Sequence, residues 1–274
     1  MSLFKKYFNF YIYSNIHVSL AVMCLTKITL LQFDIYENLS PLFVFFSTII
    51  SYNAIRFINI DKIRDESATW IKSHKIELFA LNIICLIGLT ITTFLLNFRA
   101  LLVLIPFVLA TSLYISPFKL WKLNLRDVPG LKLFLISFSW AGVTVLFPVI
   151  QNELEISRSI ILLFIERFLF ILAITIPFDI RDIDYDSPKI FTLPQVIGIK
   201  KSKIVGIISL ALFFAIGLYG SFSSGDSILD LLIIAIISSI LIGFSSKDQS
   251  NYYSSFWMEG IPIIWFLITI TIRS

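Results

Sequence analysis

Asp179, Asp182 and Asp186 stand at i, i+3 and i+7 in the run Phe178-Asp179-Ile180-Arg181-Asp182-Ile183-Asp184-Tyr185-Asp186. If one helix continues through all three, their carboxylates share a face. A row of like charges is repulsive until a cation neutralises it. Hard oxygen donors in such a row suit Mg²⁺, which takes one or two protein carboxylates and fills its octahedron with water and phosphate. The same residues also fit an ordinary acidic loop, solvated or paired with Arg181 and Lys189. A second segment bears on the choice. When Ala54-Ile55-Arg56-Phe57-Ile58-Asn59-Ile60-Asp61 is laid over Asp179 to Asp186, Arg56 meets Arg181, Asp61 meets Asp186, and Asn59 faces Asp184. The pairing reads as a degenerate internal duplication whose two polar helix ends converge on one cavity.

The elements that must carry these segments are membrane helices. Of 274 residues, 57% are apolar and only 15% are charged, more apolar surface than a soluble domain of this size can hide. The apolar residues fall in stretches of about 20, the length of a spanning helix. Spans are predicted at 14–33, 40–58, 76–95, 99–117, 129–149, 158–178, 204–221, 228–245 and 255–272. The expected fold is all-α: one polytopic domain over residues 1–274, with nine transmembrane helices around a cytoplasm-facing acidic cavity. Continuous runs of this length argue against a barrel, which would show alternation over about ten residues.

Basic residues give the orientation. Seventeen of the 22 Lys and Arg fall on one side, from Lys5 and Lys6 through Arg56, Lys119, Arg126, Lys132, Arg181 and Lys200 to Lys247. Loops rich in Lys and Arg stay cytoplasmic. The N-terminus is expected in the cytoplasm, the C-terminus on the opposite side, and the protein in a bacterial inner membrane with lipid as a partner. This bias accounts for the basic pI, and no nucleic-acid-binding motif is present. The first apolar stretch has full span length without a small-residue cleavage pattern, so it reads as an uncleaved anchor. Cys24 and Cys85 lack the spacing of a metal site or disulfide framework. Lys27, Glu166, Arg167 and Glu259 lie within spans, where an unpaired charge is costly. Arg167 or Lys27 is expected to pair with Glu259 or Glu166 as structural glue, with a substrate or proton path as the alternative. His17 reads as a hydrogen-bonded polar residue.

In its acidic segment the sequence resembles the UbiA-type intramembrane prenyltransferases, which transfer a polyprenyl group from its diphosphate to an aromatic or other lipophilic acceptor. Asp179, Asp182 and Asp186 fit the second signature of that family, D-x-x-D-x-x-x-D. Thr192-Leu193-Pro194 and Gly198-Ile199-Lys200-Lys201 are similar to the segment that follows it, and Tyr114-x-x-Pro117-x-Lys119 to its Tyr/Pro/basic loop. The first signature, N-D-x-x-D-x-x-x-D, is degenerate: Asn53 and Asp61 match, but Ala54 and Phe57 replace two aspartates. The resemblance implies Asp61, Asp179, Asp182 and Asp186 as catalytic ligands of Mg²⁺, and Asn53 and Tyr114 as substrate contacts. Arg56, Lys119, Arg126, Lys132 and Arg181 are candidate diphosphate contacts, each of which also fits a basic residue at the lipid headgroups. Ionising an allylic diphosphate needs such charge neutralisation, with an apolar interior to keep water from the cation. The expected function is Mg²⁺-dependent prenyl transfer. A catalytically inactive relative that binds lipid or assists assembly, and less readily a transporter, are the alternatives.

Overall fold

The structure, a computed structural model, describes residues 3–58, 66–115, 130–185, 191–224 and 228–273. Among the described residues every regular element is helical, with no strand. In chain order these are α1 (Leu3–Tyr13), α2 (Ile16–Gln32), α3 (Leu39–Ile58), α4 (Glu66–Ser73), α5 (Lys75–Leu95) and α6 (Phe98–Ile115). They continue with α7 (Leu131–Gln151), α8 (Arg158–Arg181), α9 (Leu193–Ile197), α10 (Ile199–Ser224), α11 (Leu229–Phe244) and α12 (Tyr253–Arg273). Each of the nine expected spans falls on one of these helices. Full crossing length and apolarity are met by six, α3, α5, α7, α8, α10 and α12, or by seven if α1 and α2 form one bent span; α6 and α11 are shorter apolar helices. Among the described residues, helix length and composition thus give six or seven crossings and do not by themselves establish nine.

Two elements differ from the sequence expectation at the N-terminal end. Residues 3–13 form α1, which Lys5, Lys6 and Asn9 make too polar to read as a span. It meets α2 at 56°. The bend turns on Asn15, whose left-handed backbone (φ 66°) an asparagine tolerates better than most residues. Helix α4 occupies a stretch expected to be a connection.

Packing is densest between α8 and α10, α3 and α5, α2 and α12, α2 and α3, and α7 and α8. The centre is aromatic: Phe170 of α8, Phe213 of α10 and Trp265 of α12 lie with ring centroids 5.1–5.5 Å apart, surrounded by Leu25, Ile174, Ile234 and Met258. A second cluster joins Val22, Phe43, Ala100, Leu104 and Phe147. Ile76, Phe79, Ile84, Ile87 and Phe94 of α5 and Ile204, Ile208 and Leu212 of α10 point outward, the pattern of helix faces turned to lipid rather than water.

Helix α7 contains a π-turn at Gly142–Leu146, which ends two residues before Pro148, a residue with no backbone donor. A Cβ at Gly142 would lie 2.0 Å from the Phe107 ring, so glycine is what lets α6 and α7 approach.

Contacts define two ends of the bundle. Asn15 Nδ2 at the start of α2 donates to Asn53 Oδ1 near the end of α3 (2.7 Å), and Arg181 at the end of α8 reaches Ser255 at the start of α12. At the other end, Arg273 bonds the Leu31 carbonyl, and Asn97 Nδ2 donates to the Gln151 carbonyl (2.8 Å). The α1–α2 corner and Arg273 thus sit at opposite ends.

Candidate functional site

Helix α8 stops at Arg181. Asp182 is its C-cap, with φ −88° and ψ 4° and its N–H on the Phe178 carbonyl, and a turn over Asp182 to Tyr185 follows. The helix therefore does not continue through the acidic run, and the single-face row expected for Asp179, Asp182 and Asp186 is not formed: Asp182 leaves the helix, and Asp186 lies outside the described residues. A negative side chain at a helix C-terminus opposes the macrodipole, so each carboxylate here needs a cation. Asp182 has one next door. Arg181 Nε donates to its Oδ1 at 2.7 Å and Nη2 to its Oδ2 at 2.9 Å, a bidentate fork. Asp179, only 1% exposed, has Lys132 Nζ at 2.8 Å from its Oδ1.

Lys132 comes from the first turn of α7, which begins after Gly130 in the left-handed region (φ 75°). The positive end of α7 and the Lys132 ammonium thus face the negative end of α8. Arg56, in the last turn of α3, donates from Nη1 to the Tyr13 carbonyl at 2.8 Å.

These groups share one cavity of about 400 Å³. Arg56, Lys132, Arg181, Asp179, Asp182 and Glu259 are the charged residues of its lining. Leu135, Ile136, Ile171 and Ile174 form its apolar wall, and Tyr52 and Trp140 face in as a pair whose indole Nε1 donates to the phenol oxygen at 3.1 Å. Three cations and three carboxylates stand over a hydrocarbon floor. A charged head with an apolar tail fits this arrangement: the cations are placed for an anion, and the floor is apolar.

Glu259 enters this site without having been assigned to it. Its presence inside a span was the only signal in the sequence, and the expected partners were Arg167 or Lys27. Instead, Arg56 and Arg181 act on it electrostatically. Arg167 turns to the Leu25 carbonyl (2.9 Å) and lies 4.9 Å over the Trp265 ring, and Lys27 takes the Glu37 carbonyl (2.6 Å) and Asn38. His17 is hydrogen-bonded, to Tyr11 and the Phe256 carbonyl.

The other predicted residues are placed as follows. Asn53 is 2% exposed and faces Asn15 and Asn82 rather than the cavity. Tyr114 falls in the last turn of α6. Asp61, Lys119 and Arg126, like Asp186, lie outside the described residues. Asp184 is exposed, 3.4 Å from Lys247.

The oxygen-only donor set suits a hard cation. Among the described residues, however, no three carboxylate, imidazole or thiol groups are close enough to hold a metal, and both described motif aspartates face a cation.

No protein-family model matches this chain, and no curated protein matches it in sequence. Solved structures do match in fold. A UbiA homologue from Aeropyrum pernix superposes with a TM-score of 0.70 at 14% identity, covering 94% of this chain and 98% of that one. A UbiA homologue from Archaeoglobus fulgidus, solved with GPP and Mg²⁺, gives 0.64 at 12% identity over 96% of this chain and 99% of its own. A digeranylgeranylglyceryl phosphate synthase gives 0.58 at 17% identity over 97% and 98%.

Proposed function

We propose that this chain is a membrane-embedded prenyltransferase of the UbiA type, transferring a prenyl group from its diphosphate to a lipophilic or aromatic acceptor. The carrying observation is the single cavity in which Arg56, Lys132 and Arg181 surround Asp179 and Asp182 above an apolar floor. The fold shared with UbiA homologues, one of them bound to GPP and Mg²⁺, supports the same reading. The diphosphate would sit against Arg56, Lys132 and Arg181, and the prenyl chain along Ile136, Ile171 and Ile174. Bound Mg²⁺, held by Asp179 and Asp182 with Asp61 and Asp186, would supply further neutralisation of the leaving group. The Tyr52 and Trp140 rings would face the developing allylic cation, which the apolar wall shields from water.

The cytoplasm is the proposed side for this cavity, with the C-terminal end of α12 on the other. The test is mass spectrometry of lipophilic products formed by the full chain in membranes with Mg²⁺ and a panel of prenyl diphosphates. Diphosphate release coupled to a prenylated product supports the reading.

A second reading rests on Ala54 and Phe57, which stand where the UbiA pattern has aspartates, and on the cations already facing Asp179 and Asp182. A relative that binds prenyl diphosphate without turning it over fits those features. Mg²⁺-dependent binding with no product for any acceptor would decide for it.

A further inference from the structure

A second cavity, of about 470 Å³, opens at the opposite end of the bundle among α2, α8, α10, α11 and α12, and shares no lining residue with the first. Glu166 on its wall lies 13 residues before Asp179 on α8, about 20 Å along the helix. Glu166 is 5% exposed, and its Oε1 has no hydrogen-bond partner among the described residues. Asp230, 8% exposed, lines the same cavity and accepts from Trp265 Nε1 (3.1 Å) and Thr269 Oγ1 (2.9 Å). The two carboxylates act on each other as like charges.

Arg167 is the one nearby cation of the described residues that acts on Glu166, and its guanidinium is turned toward the Leu25 carbonyl and the Trp265 ring. Glu166 and Asp230 are the two carboxylates of the lining, Arg167 stands behind Glu166 outside it, and one Glu166 oxygen stands ready for a donor. A buried, incompletely paired carboxylate is costly, so a cationic donor is the group that completes the site. A bare ion does not account for the volume, because most of the wall is apolar: Ile28, Leu162, Leu163, Ile216, Leu231 and Ile272. At the mouth stand Arg158, its guanidinium 6.0 Å over the Tyr219 ring, and Arg273, bonded to the Leu31 carbonyl and facing Asp34. They favour a ligand whose outer part is neutral or anionic over a simple polycation.

We infer that this cavity is a second ligand site, for the protonated amine of an amphiphile whose apolar body lies along the wall. The amine donates to Glu166 and offsets Asp230. The inference is independent of the chemistry proposed for the first cavity. Two sources carry the same chemistry, a free long-chain amine and a phosphoethanolamine lipid headgroup.

The test uses the full chain in detergent, with binding read by native mass spectrometry and thermal shift. The probes are an alkylammonium, the alkanol and alkyl sulfate of equal chain length, phosphatidylethanolamine and phosphatidylcholine. Saturable binding of the alkylammonium or of phosphatidylethanolamine, in preference to the alkanol, sulfate and phosphatidylcholine, is expected; which of the two binds identifies the source. Glu166→Gln should weaken it at least roughly tenfold, the value of one charged hydrogen bond. Gly220 lines the cavity, and a Cβ there meets no atom within 4 Å, so a side chain can start there, and Gly220→Leu, which adds volume at the lining, should abolish binding. If Glu166→Gln fails to fold, Gly220→Leu decides alone. Absence of binding, equal binding of amine and alkanol, or binding unchanged by Gly220→Leu overturns the inference.

Discussion

At the scale of single residues, the cavity is governed by which charge faces which. Lys132 stands 2.8 Å from buried Asp179, so Lys132→Gln removes a competitor for the carboxylate and a contact for the anion together. Mg²⁺ affinity should rise while prenyl diphosphate affinity falls, each by about tenfold, as calorimetry on the detergent-solubilised chain would measure. Both affinities moving the same way would argue against this division of roles. Glu259 bears on the same balance from the other side. Glu259→Gln keeps the shape and leaves Arg56 and Arg181 less neutralised, so diphosphate should bind a few-fold more tightly; weaker binding would mean that Glu259 positions the arginines rather than offsetting them. Asp179→Asn should lower any turnover by about 10²–10³-fold, the scale for removing a group from a preorganised charged site. Asp184→Asn, at an exposed residue 3.4 Å from an exposed Lys247, should stay within twofold, and steady-state rates on the two variants make the comparison.

At the scale of elements, the helices were legible because a bilayer imposes a length: apolar runs of about 20 residues mark themselves. The ends of helices were not. The i, i+3, i+7 spacing holds only while a helix lasts, and α8 yields at Arg181, where the Arg181 and Asp182 side chains close on each other and the chain turns. Arg56, Lys132 and Arg181 were legible as candidates from their places at span ends, but the partners of Glu259 were not, since no spacing encodes which face of α12 meets the end of α3. The bend between α1 and α2 was hidden for a similar reason, because it depends on one left-handed Asn15 and on Asn53 across the bundle. Packing between elements gives a further prediction. Gly142→Ala places a methyl inside the Phe107 ring, so the α6 and α7 contact must open, at about 1–3 kcal/mol of overpacking. The thermal midpoint should fall, and Phe107→Leu in the same chain should restore part of it; a midpoint unchanged by Gly142→Ala would mean that the helices are not held at this approach.

At the scale of the whole molecule, two cavities with separate linings lie at opposite ends of one helical bundle, the first ringed by cations and carboxylates and the second holding Glu166 and Asp230 on its lining with Arg158 and Arg273. Because the α1–α2 corner and Arg273 lie at opposite ends, reporters fused to the two termini should read opposite compartments, with the N-terminal one cytoplasmic by the distribution of Lys and Arg. Reporters on the same side would contradict this topology. The placement of Glu259 also carries a consequence in time. Arg56 leaves the ribosome about 200 residues before Glu259, so at ordinary elongation rates roughly 10–40 s separate their synthesis. During that interval the guanidinium lies at the edge of an unfinished bundle, and its hydrogen bond to the Tyr13 carbonyl, a group made earlier still, gives it a place to wait. A nascent chain halted before α12 would therefore carry Arg56 without Glu259, while Arg181 already has its fork with Asp182, so the last helix completes the charge balance of the cavity.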